Sequence, residues 1–279
     1  MPDRSLLRHG SLVAGVALLG ALAVGALLAP LLAPHDPLAV VDARQPVALE
    51  GPSLRHALGT DALGRDVLSR VLFGGRVSLA VGVGVEIVAT IVGCTVGLLA
   101  GYYGGAFDAV LMRVTDTVMA FPSLVLAIGL IAVFERPGLD NVFLVLVLLG
   151  WTGIARILRG SVLSLRSREY VQAARAVGAG DLSIVLRHVL PNALGPVVVA
   201  ATLGVGGNMI AEAGLSFLGL GAQSPTISWG AMLADGQSDL MTAPWVAVFP
   251  GLALLLAVLG VNLLGDGLRD LLDPRTQEE

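Results

Sequence analysis

Long apolar runs alternate with short polar segments along most of this chain. Six runs are long enough to cross a bilayer, because about 20 residues of α-helix at 1.5 Å rise span its hydrocarbon core. They lie at about residues 11–33, 77–101, 112–134, 141–160, 196–220 and 245–265. Arg113 and Asp116 fall inside the third run, so we expect them at an interface or against protein. The pattern predicts an all-α membrane protein with six transmembrane helices.

The first apolar run follows Arg4 and Arg8, an arrangement that signal peptides share with transmembrane helices. The apolar region of a signal peptide has about 7–15 residues, and this run is longer. We therefore expect an uncleaved first span, with a cleaved signal peptide as the alternative.

The segment between the first two runs is more polar. Prolines between residues 34 and 52 break regular structure in its first part. Further on, apolar residues recur at helical spacing from Leu63 to Leu72, with Arg65, Asp66 and Arg70 among them. This amphipathic pattern predicts a helix that lies along the membrane surface.

Arginine positions predict the orientation of the chain in the membrane. Six spans place both termini on one side. That side would carry eleven arginines, against six on the other. The positive-inside rule then predicts that both termini are cytoplasmic. The chain divides into an N-terminal span with an external loop and amphipathic segment (1–76), a transmembrane domain (77–265) and a cytoplasmic tail (266–279).

A charged, helix-prone segment at 169–191 interrupts the apolar pattern on the predicted cytoplasmic side. Glu169 to Val177 is good helix sequence, and Gly178 favours the left-handed conformation that ends a helix. Asp181 is then expected to cap a second helix, and Pro191 is expected to turn the chain into the fifth span. The segment predicts a helical hairpin for an aqueous partner, or alternatively a plain connector between two spans.

Composition excludes several kinds of chemistry. All 17 basic residues are arginine, so the chain lacks the lysine of a phosphate-binding P-loop and any Schiff-base lysine. Cys94 lies in an apolar run, which favours core packing. The histidines follow no metal-ligand spacing, and neither HExxH nor CxxC occurs; they are His9, His35, His56 and His188. We expect no catalytic residue, metal or cofactor in this chain.

The 169–191 segment resembles the EAA loop of ATP-binding-cassette (ABC) importer permeases. That pattern is Glu-Ala-Ala, three residues, Gly, nine residues, Ile, one residue and Leu-Pro. The matching positions are Ala173, Ala174, Gly178, Leu190 and Pro191. Gln172 stands in the place of the glutamate and His188 in that of the isoleucine, so no specific ion pair is expected at position 172.

Two further stretches, LGTDALGRDVLSRVLFGGRVSL (58–79) and AEAGLSFLGLGAQSPTISWGAML (211–233), resemble the dipeptide/oligopeptide/nickel permeases, specifically their C-type subunit. The resemblance runs from about residue 56 to Arg275. It implies the type I ABC importer permease fold, with a cytoplasmic coupling hairpin at 166–191 in the bacterial inner membrane.

The same resemblance implies a function and partners. The chain would be a permease subunit that moves di- or oligopeptides, with nickel or glutathione as alternative substrates. Its partners would be a second homologous permease, two ATPase subunits that bind ATP and Mg²⁺, and an extracytoplasmic solute-binding protein. The implied ATPase-coupling residues are Glu169, Gln172, Ala173, Ala174, Gly178, Asp181, His188, Leu190 and Pro191. An ion-coupled secondary transporter is a further alternative.

Two carboxylates fall inside predicted spans, where burial of an ionised group is costly. Glu86 lies in the second span and Glu212 in the fifth, beside a glycine-rich run. Each either lines the translocation pathway and attracts the amino end of a substrate or makes a packing contact. We expect Glu212 to be the better pathway candidate.

The predicted external side also carries candidates for contact with a binding protein. They are Asp61, Arg65, Asp66 and Trp229. A solvated helix face is the alternative for the charged residues, and an anchor at the membrane interface is the alternative for the tryptophan.

Overall fold

The computed structural model describes residues 10–39 and 48–272, which form helices joined by turns and loops. In chain order the helices are α1 (Gly10–Leu27), α2 (Ala29–Leu32), α3 (Val67–Tyr103), α4 (Gly105–Met119), α5 (Ser123–Ile131), α6 (Leu139–Leu165), α7 (Glu169–Ala176), α8 (Asp181–Ile184), α9 (Leu190–Phe217), α10 (Trp229–Asp235) and α11 (Trp245–Leu272). A π-helical turn, Val185–Val189, joins α8 to α9. Parts of the orientation prediction lie outside the described residues, namely Arg4, Arg8, Arg44, Arg275 and tail residues 273–279.

Five of the described helices are long and apolar enough to cross a membrane. They are α1, α3, α6, α11 and the continuous helix from Asp181 to Phe217. Helices α4 and α5 meet at an angle of 87° and pass the same test only as a pair. The six predicted spans are therefore found when this bent pair is counted as one span.

The third span is not the straight helix predicted over residues 112–134. It begins earlier, at Gly105, and breaks between Met119 and Ser123. Pro122 accounts for the break, because proline has no N–H for an intrahelical hydrogen bond and disfavours helical geometry in the residue before it. A new helix then starts directly after the proline.

The predicted separate surface helix from Leu63 to Leu72 is also wrong, because the residues from Val67 onward belong to α3. Asp66 caps α3 by accepting a hydrogen bond from the Ser69 N–H at 2.8 Å. From Val67 the helix continues for 37 residues to Tyr103, a length of roughly 55 Å. The hydrocarbon core is only about 30 Å thick, so one helix carries both an aqueous end and a span.

Helices α3 and α6 pack closely along a row of small residues. Gly93, Gly97 and Gly101 recur at every fourth residue and form one stripe on α3. A Cβ atom at Gly97 would lie 2.4 Å from the Ala155 carbonyl oxygen, and one at Gly93 would lie 2.5 Å from the Trp151 carbonyl oxygen. Lipid gives apolar helices no hydrophobic reason to associate, so van der Waals contact of this closeness stabilises the pair.

Three apolar clusters of described residues lie along the bundle. The first joins the ends of α3 and α6 to the 169–191 hairpin through Leu158 and Ile184. The second packs the bent pair against α3 and α6 around Val142. The third surrounds Trp229 and Met209 near the start of α3. We call the end of the bundle that carries Tyr102 and the hairpin the hairpin end, and the end that carries Val67 and α10 the opposite end.

The close contact between the glycine stripe of α3 and the backbone of α6, here called the α3–α6 seam, predicts that one added methyl group destabilises the protein. Replacing Gly97 with Ala should destabilise the protein by about 1–3 kcal/mol, because the new atom overlaps the Ala155 backbone. Gly20→Ala is the matched control, since a Cβ there meets nothing within 4 Å. Thermal unfolding of the detergent-purified protein should show a lower midpoint for Gly97→Ala alone. Equal midpoints for the two variants would contradict the seam.

Candidate functional site

The 169–191 hairpin turns at Gly178, as its sequence predicts. Gly178 has φ of +83°, the left-handed conformation that glycine adopts without steric cost. Its N–H donates to the Arg175 carbonyl at 3.0 Å, and the Ala179 N–H donates to the Ala174 carbonyl at 3.1 Å. These two bonds form a Schellman motif, which satisfies carbonyls at the end of α7 and fixes the turn.

Two details of the predicted hairpin are wrong. The Asp181 side chain makes no capping hydrogen bond at the start of α8 and instead accepts one from the Tyr102 hydroxyl at 2.6 Å. Pro191 does not turn the chain, because the helix runs on from Asp181 to Phe217. The wider π-helical turn directly before Leu190 gives room to a proline that cannot donate to the preceding turn. The second arm is therefore the extended start of the fifth span.

The inner face of the hairpin is packed into the bundle. Val171 on α7 and Ile184 on α8 are fully buried and join the cluster that includes Leu158 and Val162 of α6. Val189 of the π-helical turn is buried in the same cluster. Both arms therefore contribute to one core with the ends of α3 and α6.

Tyr102 joins both arms of the hairpin to the end of α3. Its hydroxyl donates to Asp181 on α8 and accepts a hydrogen bond of 3.3 Å from Arg175 on α7. This hydrogen bond raises the pKa of Arg175 above its usual value. Arg166 donates to the Gly101 carbonyl at 3.0 Å and ties the start of the hairpin to the same helix end.

The outer face of the hairpin carries apolar side chains that the sequence analysis missed. Val177 is 85% exposed, Leu182 73% and Leu186 52%. Gln172 and Ala173 are exposed on the α7 arm. Helical periodicity alone does not reveal this surface, because the hairpin is short and its apolar residues alternate between core and solvent. The exposed apolar residues together with the small residues of α7 form a surface that another protein can cover.

The remaining predicted coupling positions have plain structural roles. Glu169 begins α7, where its negative charge favours the helix N-terminus. The amide of Gln172 reaches the Arg166 carbonyl at 3.4 Å. The carbonyl of His188 accepts from the Asn192 side chain at 2.8 Å, and Leu190 starts α9.

Glu86 lies beside a groove between α3 and α9. Its carboxylate accepts hydrogen bonds from Asn208 at 2.8 Å and Thr90 at 3.1 Å. It lines a groove of about 410 Å³ whose other walls are mainly apolar, among them Val198 and Val205. A carboxylate at such a groove can meet a cationic group that enters it.

Glu212 has a different environment and is fully buried. It accepts from the Ser216 hydroxyl at 2.7 Å and from the Ser78 hydroxyl at 3.4 Å. Ser78 in turn accepts from the Trp229 N–H at 3.1 Å. Glu212 therefore ties α9 to α3 and to the start of α10, and this enclosure does not favour the expectation that it is the better pathway candidate.

At the opposite end an ion cluster joins α3 to α10. Asp61 accepts from Arg65 at 2.7 Å and also from Arg70. Arg70 donates to Asp235 at 2.9 Å, and Arg65 reaches the same carboxylate at 3.3 Å. Asp61 is buried, so it is not the exposed contact for a binding protein that the sequence predicted. Arg65 and Asp235 form the accessible part of this cluster.

Asp66 and Trp229 are likewise interior residues. Asp66 is fully buried as the cap of α3. The Nδ1 atom of His56 lies at hydrogen-bond distance, 3.0 Å, from Asp66 Oδ1. Trp229 is 2% exposed, and its indole N–H donates to the Val71 carbonyl at 2.9 Å. Neither residue presents a surface to a partner, and Trp229 is not an anchor at the membrane interface.

The structure brings His35 beside this pair. Its Nδ1 atom lies 3.6 Å from the Asp66 carboxylate, and its ring centroid lies 4.8 Å from that of His56. Sequence spacing could not reveal this arrangement, because the two histidines are far apart along the chain.

Ion pairs hold the bent α4–α5 pair against α6. Arg159 forms two hydrogen bonds with Asp108, at 2.5 and 2.7 Å. Arg156 pairs with Asp116 at 2.5 Å. Asp116, one of the two charges expected at an interface or against protein, thus has an ionic partner on α6, although about half of its side chain stays exposed.

Comparison with known proteins identifies close relatives over most of the chain. A glutathione transport system permease protein, GsiD, of Pectobacterium atrosepticum is 44% identical over 98% of this chain and 89% of its own length. A dipeptide transport system permease protein, DppC, of Alkalihalophilus pseudofirmus is 45% identical over 81% of this chain and 74% of its own length.

A solved structure of the MetNI methionine ABC transporter, in inward-facing conformations, has the same fold. The TM-score is 0.61 at 20% sequence identity, over 73% of this chain and 96% of the matched chain. Residues 93–278 match the family model described as the inner membrane component of binding-protein-dependent transport systems. The chain therefore belongs to this family, as a permease subunit of an ABC transporter.

Proposed function

We propose that this chain is one of two permeases in an ATP-driven importer of di- and oligopeptides across the bacterial inner membrane. The hairpin end faces the cytoplasm, and both termini lie on that side. Two partner ATPases bind ATP and Mg²⁺ and hydrolyse the ATP, and an extracytoplasmic solute-binding protein delivers the peptide to the opposite end. The chain itself supplies part of the pathway and the coupling element.

The observation that carries this proposal is the two-faced hairpin. Its inner face is anchored to α3 and α6 through Val171, Ile184 and the Tyr102 hydroxyl. Its outer face exposes Val177 and Leu182. A partner that covers the outer face and then moves will displace the hairpin, and the packed inner face passes this displacement to the spanning helices.

The groove beside Glu86 supports a peptide as the substrate. A di- or oligopeptide carries a protonated amino end, and a carboxylate held by Asn208 and Thr90 at an apolar wall attracts such a group. Apolar walls contact side chains through dispersion and so tolerate different sequences.

Glutathione is the second candidate substrate, favoured by the 44% identity to the Pectobacterium permease. Glutathione is itself a tripeptide with a free amino group, so the same carboxylate serves both substrates. Transport measured with dipeptides and with glutathione separates the two candidates. An ion-coupled transporter would instead work without ATPases, and uptake by the isolated chain along an ion gradient would indicate it.

The outer face of the hairpin should bind the ATPase. Ala173→Asp and Leu182→Asp each place a charge on an exposed position, so both variants should fold and reach the membrane. Leu182→Asp removes a leucine side chain that the bound ATPase would cover, and this loss should weaken ATPase association about 10- to 100-fold. Co-purification of the ATPase with the permease measures this effect.

The control for the hairpin test is Leu54→Asp, which adds a charge at a fully exposed apolar residue in the loop before α3. It should retain the ATPase. Normal ATPase recovery with both hairpin variants would refute the docking role.

The Tyr102 hydroxyl should affect the coupling of ATP hydrolysis to peptide uptake, and not the binding of the ATPase. Tyr102→Phe removes the hydrogen bonds to both hairpin arms and keeps the ring. A loss of about 1–2 kcal/mol lowers the ratio of anchored to released hairpin about 5- to 30-fold. ATP hydrolysis by the assembled transporter should persist while peptide uptake per ATP falls. Tyr103→Phe is the control, because that side chain is 61% exposed. Equal uptake per ATP in both variants would contradict the role of Tyr102.

The two buried glutamates should behave differently. Glu86→Gln should reduce uptake of peptides with a free amino end about tenfold, because one charge-assisted contact worth about 1.4 kcal/mol is lost. Uptake of peptides with an acetylated amino end should change little. Glu212→Gln should leave uptake per folded molecule unchanged and lower the thermal unfolding midpoint. If Glu86→Gln lowers uptake of free and acetylated peptides equally, the carboxylate does not recognise the amino end.

A further inference from the structure

Three side chains with metal-binding atoms converge at the opposite end of the bundle. His35 follows α2, His56 lies in the loop before α3, and Asp66 caps α3. The candidate ligand atoms all lie within 4.8 Å of one another. His56 Nδ1 is 3.0 Å from Asp66 Oδ1, and His35 Nδ1 is 3.6 Å from the same oxygen. Three separate segments of chain therefore meet at one point.

Hydrogen bonds within the protein leave one ring nitrogen of this cluster without a partner. His35 Nδ1 is buried and has no hydrogen-bond partner, since 3.6 Å is too long for such a bond. The other Asp66 oxygen, Oδ2, is occupied by the Ser69 N–H and hydroxyl at 2.8 and 2.7 Å. Oδ1 therefore faces both imidazoles, and one buried ring nitrogen lacks a partner.

We propose that His35, His56 and Asp66 bind a divalent transition metal ion, with Zn²⁺ as the best fit. Zinc takes imidazole nitrogen and carboxylate oxygen at about 2.0–2.2 Å, which places tetrahedral ligands about 3.3 Å apart. The separations of 3.0 and 3.6 Å lie on either side of this value. The ion gives His35 Nδ1 its missing partner and takes one lone pair from each of three ligands.

The surroundings hold the ligands in place and give access to the ion. The backbone N–H of His35 donates to the Ser69 hydroxyl at 3.2 Å, and that of His56 donates to the Ser53 hydroxyl at 3.1 Å. Such contacts outside the ligand set orient metal ligands. His35 is 30% exposed and lines a groove of about 740 Å³, from which an ion can approach the buried ligand atoms.

The site has a structural role and does not depend on the proposed peptide transport. It lies at the opposite end from the hairpin and away from the groove at Glu86. A bound ion cross-links the segment after α2 and the following loop to the start of α3. Metal binding in such a site adds to folding stability, because the unfolded chain has no preformed site.

The test uses the full chain in its complex with its partner subunits, purified through a tag without histidines. The complex is stripped with a chelator, incubated with Zn²⁺, desalted and analysed for zinc by mass spectrometry. We expect about one zinc ion per copy of this chain. His35→Ala and His35→Gln should each weaken zinc binding at least tenfold. The His35 backbone contact with Ser69 does not involve the side chain, so both variants should fold.

Asp36→Asn is the matched control, because it removes a neighbouring exposed charge and leaves the three ligands intact. It should bind zinc like the wild type. Mg²⁺ should not compete, since it prefers all-oxygen ligands. Zinc should also raise the unfolding temperature of the stripped wild-type complex and not that of His35→Ala. A wild-type complex that retains no zinc, or His35 variants that retain as much as the wild type, would overturn the proposal.

Discussion

The close contact between α3 and α6 is the constraint on which the rest of the structure depends. At Gly93 and Gly97 the two backbones approach until no Cβ atom fits between them. In lipid this contact takes the place of the hydrophobic effect, which does not drive apolar helices together there. The hairpin core forms where the same two helices end, and the bent α4–α5 pair is held on α6 by Arg159. These parts therefore share one rigid support.

Helix α3 also connects the two ends of the molecule. Asp66 caps its first turn and Tyr102 lies at its last, so the groups around these residues are joined by one continuous helix. A helix of this length is stiff along its axis because each turn is hydrogen-bonded to the next. In the proposed transporter, a displacement of the hairpin therefore reaches the ion cluster at Arg70 through α3. The seam with α6 makes this a movement of two helices together.

The sequence predicted the elements that depend on local chemistry. Apolar runs placed the spans, and Gly178 marked the turn of the hairpin because its left-handed conformation is a property of glycine itself. Pro122 is a signal for a break in the third span, but the apolar run continues on both sides of it and so predicted one straight helix. The contacts of Asp181 and Trp229 could not be predicted, because their hydrogen-bond partners, Tyr102 and Val71, are distant in the chain. The exposed apolar residues on the outer face of the hairpin could not be predicted, because the sequence does not show which residues the bundle buries.

The two intramembrane carboxylates, Glu86 and Glu212, show most clearly that sequence context does not predict the environment of a buried side chain. Sequence context favoured the one in a glycine-rich run, since glycine indicates close helix approach. Close approach is, however, what surrounds Glu212 with Ser78 and Ser216, whose hydroxyls donate to its carboxylate. Glu86 keeps two hydrogen bonds and still borders a groove. A buried acid that is enclosed by its own chain stabilises the fold, whereas one at a groove wall is positioned to recognise a ligand. Only the three-dimensional arrangement separates these roles.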